Sequence, residues 1–423
     1  MDYQIKASRS NNLLTFFDDL WGEIFTSPIH LDTALSKRAK NTKSILAQIL
    51  PQILLQPASL AEAIGVGVPQ GEPWNLTSEQ LVKWRPAHLM AENLHRTMIE
   101  GKPQISPVKD DFPPVMLDEW ASLPGFTDKD VLGLVRVLGS EAPLSLRVNR
   151  KSTPQEVLAK LTEGSRLPVS AMLSDISPQG IRLAGYAPVL NTELYESGAF
   201  EIQDEGSQIL SYFTLWPEIF GDLLQKKPGK VQIPKVLPAL PAQAPAWTII
   251  DACAGAGGKT LAIADALAGK GRIYSYDTSE RKLQALRRRA ARAGATNVQA
   301  VAVVEGNEGH VVERFRKRAN IVLVDAPCSG WGTIRRTPDI KWRQPLDVLE
   351  RMPLIQERLL DAYSELVMSG GRLVFGVCTF RKAETVDVVE SFLISHPDFT
   401  AAQGGYMGPG PTDGFFMQAF TRK

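Results

Sequence analysis

The sequence predicts an α/β protein whose C-terminal half forms a mostly parallel β-sheet covered by helices on both faces. Three observations lead to this prediction. From about residue 247, short apolar runs rich in β-branched residues alternate with segments of helical period. A glycine-rich turn, DACAGAGGK, joins the first of these runs to a helix. Two later runs end at cysteines, Cys328 and Cys378, and ligands of open α/β sheets bind outside the carboxyl ends of the strands.

The strands of this region are predicted from their apolar character, because a strand buried on both faces is a nearly continuous apolar run. The helices are predicted from apolar residues that recur every three or four positions. The predicted strands lie in WTIIDACAGAGG, RIYSYDTS, VQAVAVV, NIVLVDAPCSG, GRLVFGVCT and GFFMQAF, and the predicted helices in KTLAIADALAG, SERKLQALRRRAARAG and GHVVERFRKR.

The rest of the chain divides into three further segments. Residues 1–138 carry helical periods separated by proline and glycine, which predicts an all-helical domain. Residues 139–215 combine a short alternating strand, PLSLRVNR, with a capped helix, TPQEVLAKLTEG, and predict a small α/β module. Residues 216–245 are rich in proline and lysine and predict a linker or insertion, so that residues 246–423 form the catalytic domain.

The composition describes a globular protein with material for a real core, since 44% of the 423 residues are hydrophobic. Lysine and arginine number 47 against 46 acidic residues, so a nucleic-acid partner needs a local basic face. No apolar run is long enough for a membrane span and no signal pattern opens the chain, so we expect a cytoplasmic monomer with no membrane partner. With 3 cysteines we expect neither a disulfide framework nor a metal site.

The glycine-rich turn predicts a cofactor site, because it leaves the N-terminus of the following helix open to a ligand. Such a turn is compatible with NAD, another nucleotide or S-adenosylmethionine, or with simple packing of a helix on a sheet. Asp277 closes the second strand, where a carboxylate accepts both hydroxyls of a ribose. The alternative for Asp277 is a cap of the helix that begins at once after it.

Cys328 and Cys378 follow strands that we expect to be neighbours, so the two thiols can face one pocket. The alternative is two small buried residues near strand ends. A hydride-transfer site has no need of such a pair, whereas methylation of cytosine at carbon 5 does. A thiolate that adds to carbon 6 makes carbon 5 nucleophilic, and a base must later release the product.

Two charged residues complete this chemical prediction. Asp325 lies close before Cys328 and can bond the edge of a cytosine. Lys259 can supply positive potential near Asp325 or the cofactor, or can be a solvated lysine in the first turn of a helix. The spacing leaves open which of the two thiols attacks.

Three segments, DACAGAGGKT, DAPCSGWGTIRRTPDIKWR and FGVCTFRKAETVDVVESFL, resemble the signature blocks of the bacterial 16S rRNA cytosine-5 methyltransferases, the RsmB and NOL1/NOP2/Sun group. The resemblance covers residues 139–423. It implies a Rossmann-like, S-adenosylmethionine-dependent methyltransferase domain that acts on RNA, with Cys378 as nucleophile and Cys328 as the thiol that assists product release. It also implies cofactor contacts from Asp277, Glu305, Asp325 and the turn formed by Cys253, Ala254, Gly255, Ala256, Gly257, Gly258 and Lys259.

The sequence departs from the family pattern at several positions. Ala256 replaces the usual proline, and Glu305 stands where an aspartate is usual. The Glu-Asn-Glu that usually follows the nucleophile is reduced to Glu384, Thr385 and Val386. None of these changes removes a reactive group, so we expect activity, with substrate choice open to change.

RNA contacts are predicted around the Cys328 turn and in the small module. Basic and aromatic residues follow the turn and suit phosphate contact and base stacking: Trp331, Arg335, Arg336, Lys341, Trp342 and Arg343. The family resemblance makes the module RRM-like, with Arg147 and Asn149 near the RNA, and residues 1–138 weakly resemble a NusB-like RNA-binding domain. The basic helix SERKLQALRRRAARAG is interpreted as a solvated surface.

Two other interpretations stay open at this point. In a DNA cytosine methyltransferase, Cys328 is the attacking thiol; the second thiol and the missing large DNA-recognition region argue against it, and a tRNA substrate is a related alternative. A ribosome-assembly factor that binds RNA without turnover is the non-enzyme alternative, favoured only by the reduced Glu-Asn-Glu block.

Overall fold

A computed structural model of the chain describes residues 17, 21, 52–57, 80, 84, 87, 90, 91, 108–163, 167, 169–185, 187–224, 234–343, 346–410 and 412–423. Most of the predicted N-terminal helical domain lies outside the described residues, so its NusB-like character stays a prediction. Residue contacts divide the chain into two compact units. The first comprises Met1–Glu141 with Thr333–Val348, and the second comprises Ala142–Gly332 with Leu349–Lys423. The second unit therefore contains nearly all of the predicted small module and most of the predicted catalytic domain, whose residues 333–348 fall in the first unit.

Several helices of the described residues begin where the sequence offers a cap or a proline. For example, the backbone N–H of Thr127 donates to Asp130 over 2.8 Å and closes the start of the second helix. None of the described helices is long and apolar enough to cross a membrane. In chain order they are α1 (Pro114–Ala121), α2 (Asp128–Leu138), α3 (Pro154–Thr162), α4 (Glu193–Glu196), α5 (Glu205–Leu215), α6 (Pro217–Phe220), α7 (Gly258–Ala266), α8 (Glu280–Ala293), α9 (Gly309–Phe315), α10 (Ile340–Arg343), α11 (Leu346–Ser364) and α12 (Val386–Ser395).

A small antiparallel sheet with strand order β2-β3-β1-β4 is formed by β1 (Leu144–Val148), β2 (Ala171–Leu173), β3 (Gly180–Leu183) and β4 (Phe200–Ile202). With α3 and α4 the strands follow one another as β-α-β-β-α-β, a known way to close one face of a sheet with two helices. The predicted α/β character of this segment is thus observed, and its RRM-like role in RNA binding stays a prediction.

The large sheet has the strand order β10-β11-β9-β8-β5-β6-β7. The five strands from β9 to β7 are parallel, and β11 and β10 are added antiparallel at one side. The predicted mixed α/β sheet is confirmed, although β10 was not predicted. The strands are β5 (Thr248–Asp251), β6 (Arg272–Asp277), β7 (Val298–Ala302), β8 (Ala319–Asp325), β9 (Val367–Val377), β10 (Phe399–Met407) and β11 (Phe415–Arg422).

Helices cover both faces of the large sheet, as the apolar strands require. Along β5, Ile249 packs into a core with residues of α5 and α7, whereas Ile250 packs into a second core with residues of α9, α11 and α12. Along β8, Ile321 and Val322 alternate between the same two cores. The period of two along each strand therefore places alternate side chains in the two layers.

The proline-rich segment 216–245, predicted as a linker or insertion, contains regular structure in its described part. Its first residues form α6 and a 3-10 turn, Gly221–Leu224. Phe220 and Leu224 are buried in the core that also holds α5. The sequence explains why α6 begins here, because Pro217 occupies its first turn, where the fixed φ of proline favours a helix start.

Candidate active site

Four strands of the large sheet end at one edge, and each brings a polar or reactive side chain there. β5 ends at Asp251, β6 at Asp277 and β8 at Asp325, and Cys378 follows β9 directly. Because these strands are parallel, their carboxyl ends lie together, and this is the edge at which open α/β sheets bind ligands.

The glycine-rich turn between β5 and α7 owes its shape to glycines in the left-handed region. Gly257 has φ +86°, and a Cβ there would lie 2.4 Å from the Cγ of Leu286. Gly255 has φ +55°, and a Cβ there would meet no atom within 4 Å. The turn is therefore packed tightly on the side of α8 and open at Gly255, where a ligand can approach the backbone.

Asp277 holds this turn in place. One of its carboxylate oxygens accepts a hydrogen bond from the N–H of Gly255 and the other from the N–H of Ser279, each at 2.8 Å. The two alternatives for Asp277, a contact at the cofactor turn and a stabiliser of the start of α8, are thus not exclusive. Its contact with a ribose stays a prediction.

Lys259 and Asp325 form an ion pair, with 2.5 Å between Nζ and Oδ2. Burial by itself would lower the pKa of Lys259, but the interactions with Asp325 and the nearby Cys378 prevail and raise it. Lys259 is therefore a permanent cation beside Asp325 and the thiol, rather than a solvated lysine. Its Nζ also lies 5.5 Å from the centre of the Phe415 ring.

The two thiols predicted to share a pocket are neighbours, with 3.4 Å between the Sγ atoms of Cys328 and Cys378. The hydrogen bond with Cys378, together with burial, raises the pKa of Cys328 well above its usual value. Cys253, in the glycine-rich turn, also has a raised pKa, because it is buried and lies near several carboxylates. All 3 cysteines are free.

Glu384 supports the loop that carries Cys328, a role that sequence reasoning missed. Its side chain is fully buried and accepts hydrogen bonds from the N–H of Ser329 at 2.8 Å, from Gln356 at 3.0 Å and from Arg381 at 3.0 Å. Glu384, the first glutamate of the reduced Glu-Asn-Glu block, therefore still stabilises the loop that carries Cys328. The available signal was an acidic residue that follows Cys378 closely and lies three positions after Arg381, with which it can pair.

A cavity of about 370 Å³ opens beside the ion pair and the turn. Eight of its lining residues were not predicted as site residues: Ile202, Gln203, Asp204, Ser207, Asp251, Arg289, Asp413 and Phe415. Gln203 and Asp204 directly follow β4, so the small sheet contributes a wall of the cavity.

Asp251 is the most unusual of these lining residues. It is 1% exposed, its Oδ2 accepts a hydrogen bond from Thr260 at 2.6 Å, and its Oδ1 has no hydrogen-bond partner among the described residues. Burial, opposed by the Thr260 hydrogen bond and aided by nearby carboxylates, raises the pKa of Asp251 to about 7. The cavity therefore contains a buried carboxyl oxygen ready to accept a donor from a ligand.

Glu305 lies outside the cavity, and its contact with a cofactor stays a prediction. Its side chain is 68% exposed and lies 3.5 Å from Arg358, and it does not line the cavity. Glu308 instead is buried and accepts hydrogen bonds from Gly306 and Arg358, each at 3.2 Å. The strand β7 ends at Ala302, so Glu305 falls in the exposed turn that follows it.

Trp331 and the residues of the small module are too buried for the direct RNA contacts predicted for them. Trp331 is 1% exposed and lies beside the guanidinium of Arg381. Arg147 and Asn149 are 2% and 7% exposed. Arg147 donates to Gln203 at 2.8 Å and pairs with Asp265 at 3.4 Å, so it joins the small sheet to α7.

The basic residues after the Cys328 turn belong to the first compact unit, where several are also buried. Lys341 is 5% exposed, and its Nζ donates to the carbonyls of Leu55 at 2.6 Å and Asp111 at 2.7 Å. Trp342 donates to the carbonyl of Leu54 at 3.0 Å. The internal hydrogen bonds of Lys341 argue against a phosphate contact, whereas base stacking by the half-buried Trp342 stays a prediction.

Arg335 is 6% exposed and does not fit phosphate contact either. Arg336 is only partly buried, and Arg343 lies in α10 with its side chain outside the described residues. For these last two residues an RNA contact stays a prediction.

Comparison with known proteins supports a methyltransferase. Residues 239–411 match the model of the family "16S rRNA methyltransferase RsmB/F". The "Probable ribosomal RNA small subunit methyltransferase B" of Bacillus subtilis is 28% identical over 71% of this chain and 62% of its own length. The protein of the same name from Synechocystis is 32% identical over 63% of this chain and 53% of its own length.

The chain thus spans between about half and two thirds of the length of these relatives. The crystal structure of NSun6 from Pyrococcus horikoshii with SFG is 16% identical, covers 74% of this chain and 98% of its own, and has a TM-score of 0.57, which shows a shared fold. The comparisons therefore agree with the family that the sequence motifs indicated: residues 239–411 are similar to the RsmB/F methyltransferases.

Proposed function

We propose that this protein is an S-adenosylmethionine-dependent RNA cytosine-5 methyltransferase that forms a thiolate adduct with its target base and acts on small-subunit rRNA. The observation that carries the proposal is the pair of thiols, with Sγ atoms 3.4 Å apart, beside the Lys259–Asp325 ion pair. The names of the matched family and relatives support rRNA as the substrate.

The cavity suits S-adenosylmethionine. The open backbone at Gly255 and the N-terminus of α7 admit a ligand, Asp277 lies at the turn, and the free Oδ1 of Asp251 can accept from the ligand's ammonium group. A structural neighbour of this fold holds SFG, an S-adenosylmethionine analogue. When bound, S-adenosylmethionine supplies an electrophilic methyl group on a sulfonium.

Cys378 is the better placed of the two thiols to act as the nucleophile. A thiolate is the reactive form, and a nearby cation stabilises it. The ammonium of Lys259 interacts electrostatically with Cys378. This supports addition of Cys378 to carbon 6 of cytosine, after which carbon 5 can accept a methyl group.

Cys328 is suited to the later step. Its raised pKa keeps the thiol protonated, and a group that holds its proton suits acid–base work during release better than attack. From 3.4 Å away it can donate its proton to the Cys378 sulfur as a water molecule takes the proton from carbon 5, the carbon 5–carbon 6 double bond re-forms and the bond from carbon 6 to sulfur breaks. Asp325, oriented by Lys259, is available to bond the edge of the cytosine.

Trapping of covalent protein–RNA adducts tests this division of roles. The protein is incubated with labelled S-adenosylmethionine and rRNA, and adducts are separated under denaturing conditions. Cys328→Ala should accumulate a stable adduct, and Cys378→Ala should form none. An adduct that persists in Cys378→Ala and disappears in Cys328→Ala overturns the assignment.

The same experiment addresses the alternatives. Methyl transfer to DNA or tRNA but not to rRNA would show that the substrate is one of those nucleic acids and not rRNA. Binding of the cofactor without transfer to any RNA would favour the assembly factor. Glu384, which braces the Cys328 loop despite the changes in its block, supports an active enzyme.

A further inference from the structure

We propose that Cys328 and Cys378 form an oxidative modification site, at which a hydroperoxide converts the two thiols into a reversible disulfide. A disulfide bond is about 2.05 Å long, so sulfurs that start 3.4 Å apart need to approach by only about 1.4 Å. A side-chain rotation of that size is available to thiols at the ends of two adjacent strands.

The backbone around the two cysteines keeps the thiols together. Before them, the N–H of Ala326 donates to the carbonyl of Gly376 at 2.9 Å, which extends the pairing of β8 with β9. Directly after them, the hydroxyls of Ser329 and Thr379 are hydrogen-bonded at 2.7 Å. Closing a ring between segments that are already paired costs little chain entropy, so the disulfide should be stable to mild reductants.

The surroundings also assign an order to the oxidation. Lys259 places a positive charge near Cys378, whereas Cys328 is held as a thiol. The thiolate of Cys378 attacks the peroxide, its sulfur is oxidised to a sulfenic acid, and hydroxide leaves and takes up a proton as water. The sulfur of Cys328 then displaces the sulfenic hydroxyl, its proton leaves with that group as a second water, and the S–S bond forms.

Cys253 provides an internal comparison. It is a half-buried thiol whose raised pKa reflects burial and the carboxylates around it, and among the described residues the hydrogen bond between two cysteine sulfurs joins the other two thiols. The same peroxide exposure should therefore leave Cys253 reduced. The loss of methyl transfer in the oxidised protein rests on the proposed function, since Cys378 would no longer be able to add to cytosine, but the disulfide itself does not.

The experiment exposes the full chain, without RNA or cofactor, to a small excess of hydrogen peroxide. Remaining thiols are then alkylated under denaturing conditions and identified by peptide mass spectrometry. We expect Cys253 alkylated, a linked peptide pair containing Cys328 and Cys378, and recovery of all 3 thiols after dithiothreitol. Peptides with Cys328 and Cys378 both alkylated, or with sulfinic acids and no linked pair, overturn the proposal.

Two matched variants sharpen the test. Cys253→Ala should form the same linked pair as the unaltered protein, whereas Cys328→Ser should form none and leave Cys378 to oxidise further. The double variant Ser329→Ala with Thr379→Val removes the hydrogen bond beside the thiols and should make the disulfide roughly fivefold easier to reduce in a glutathione buffer. If the thiol–disulfide equilibrium of that variant in glutathione is unchanged, the hydrogen bond between Ser329 and Thr379 does not stabilise the disulfide.

Activity is measured last, so that the two proposals fail separately. The oxidised protein should lose methyl transfer to rRNA and regain it after reduction. Full activity of a protein shown to carry the disulfide refutes the functional consequence. A protein that forms the disulfide but never methylates rRNA retains the modification site and contradicts only the proposed function.

Discussion

The carboxylate of Glu384 accepts a hydrogen bond from the backbone N–H of Ser329, 2.8 Å away, and so connects the segment after one cysteine to the loop after the other. The same carboxylate pairs with the buried Arg381. A single side chain thereby holds the positions of both thiols. The predictions below start from this connection.

Glu384→Gln should lower the free energy of unfolding by about 3 kcal/mol, because it leaves the charge of the buried Arg381 less compensated. It should also slow methyl transfer, since the hydrogen bond that positions the Cys328 loop at Ser329 is weakened. Chemical denaturation and a methyl-transfer assay measure the two effects. Glu390→Gln, at an exposed position of α12, is the control and should change the stability by less than about 0.5 kcal/mol.

Lys259→Met should slow the alkylation of Cys378 by iodoacetamide at pH 7 several-fold, because the variant removes the ammonium group near the Cys378 sulfur. Peptide mass spectrometry after timed alkylation gives the rate for each cysteine. Lys270→Met removes an exposed lysine just after α7 and should leave the rate unchanged. Equal rates in the two variants would show that Lys259 does not act on Cys378.

The stability conferred by Asp251 should depend on pH. Its pKa is raised from 3.8 to about 7 in the folded protein, so the folded state holds the proton more tightly than the unfolded state. The stabilisation is complete below pH 4 and is lost as the pH rises to about 7. As the pH rises from 4 to about 7, the free energy of unfolding of Asp251→Asn should therefore increase, relative to that of the unaltered protein, by on the order of 4 kcal/mol. Denaturation at several pH values measures this difference. A difference that stays constant from pH 4 to 8 contradicts the buried, proton-binding carboxyl.

Lys341→Met tests whether this buried lysine contacts RNA. Because its Nζ is bonded to the carbonyls of Leu55 and Asp111, we expect rRNA affinity and its salt dependence to stay unchanged. A protein that loses one phosphate contact shows a slope of log affinity against log salt that is smaller by about one. A change of that size in Lys341→Met would show that Lys341 contacts a phosphate of the RNA.

The parts of this protein that the sequence predicted well are local. The strand, the glycine turn and the helix from β5 to α7 follow from apolar runs and glycines a few residues apart. By contrast, β10 contains Gly404 and Gly405 and lacks a clear alternation of apolar residues. It forms a strand because β11 pairs with it, with an irregular register near Ala401. Pairing with a distant segment outweighs weak local propensity.

The sequence by itself determined the α/β class, the glycine-rich turn and the placement of two cysteines at strand ends, because periodicity and turn chemistry act over a few residues. Only the tertiary structure decided what surrounds them: the 3.4 Å between the thiols, the free oxygen of Asp251 and the brace from Glu384. It also placed the amine of Lys341 against the carbonyl of Leu55, 286 positions away, instead of in solvent. Burial and hydrogen-bond partners depend on which distant segments pack together. A pattern of a few neighbouring residues does not determine that packing.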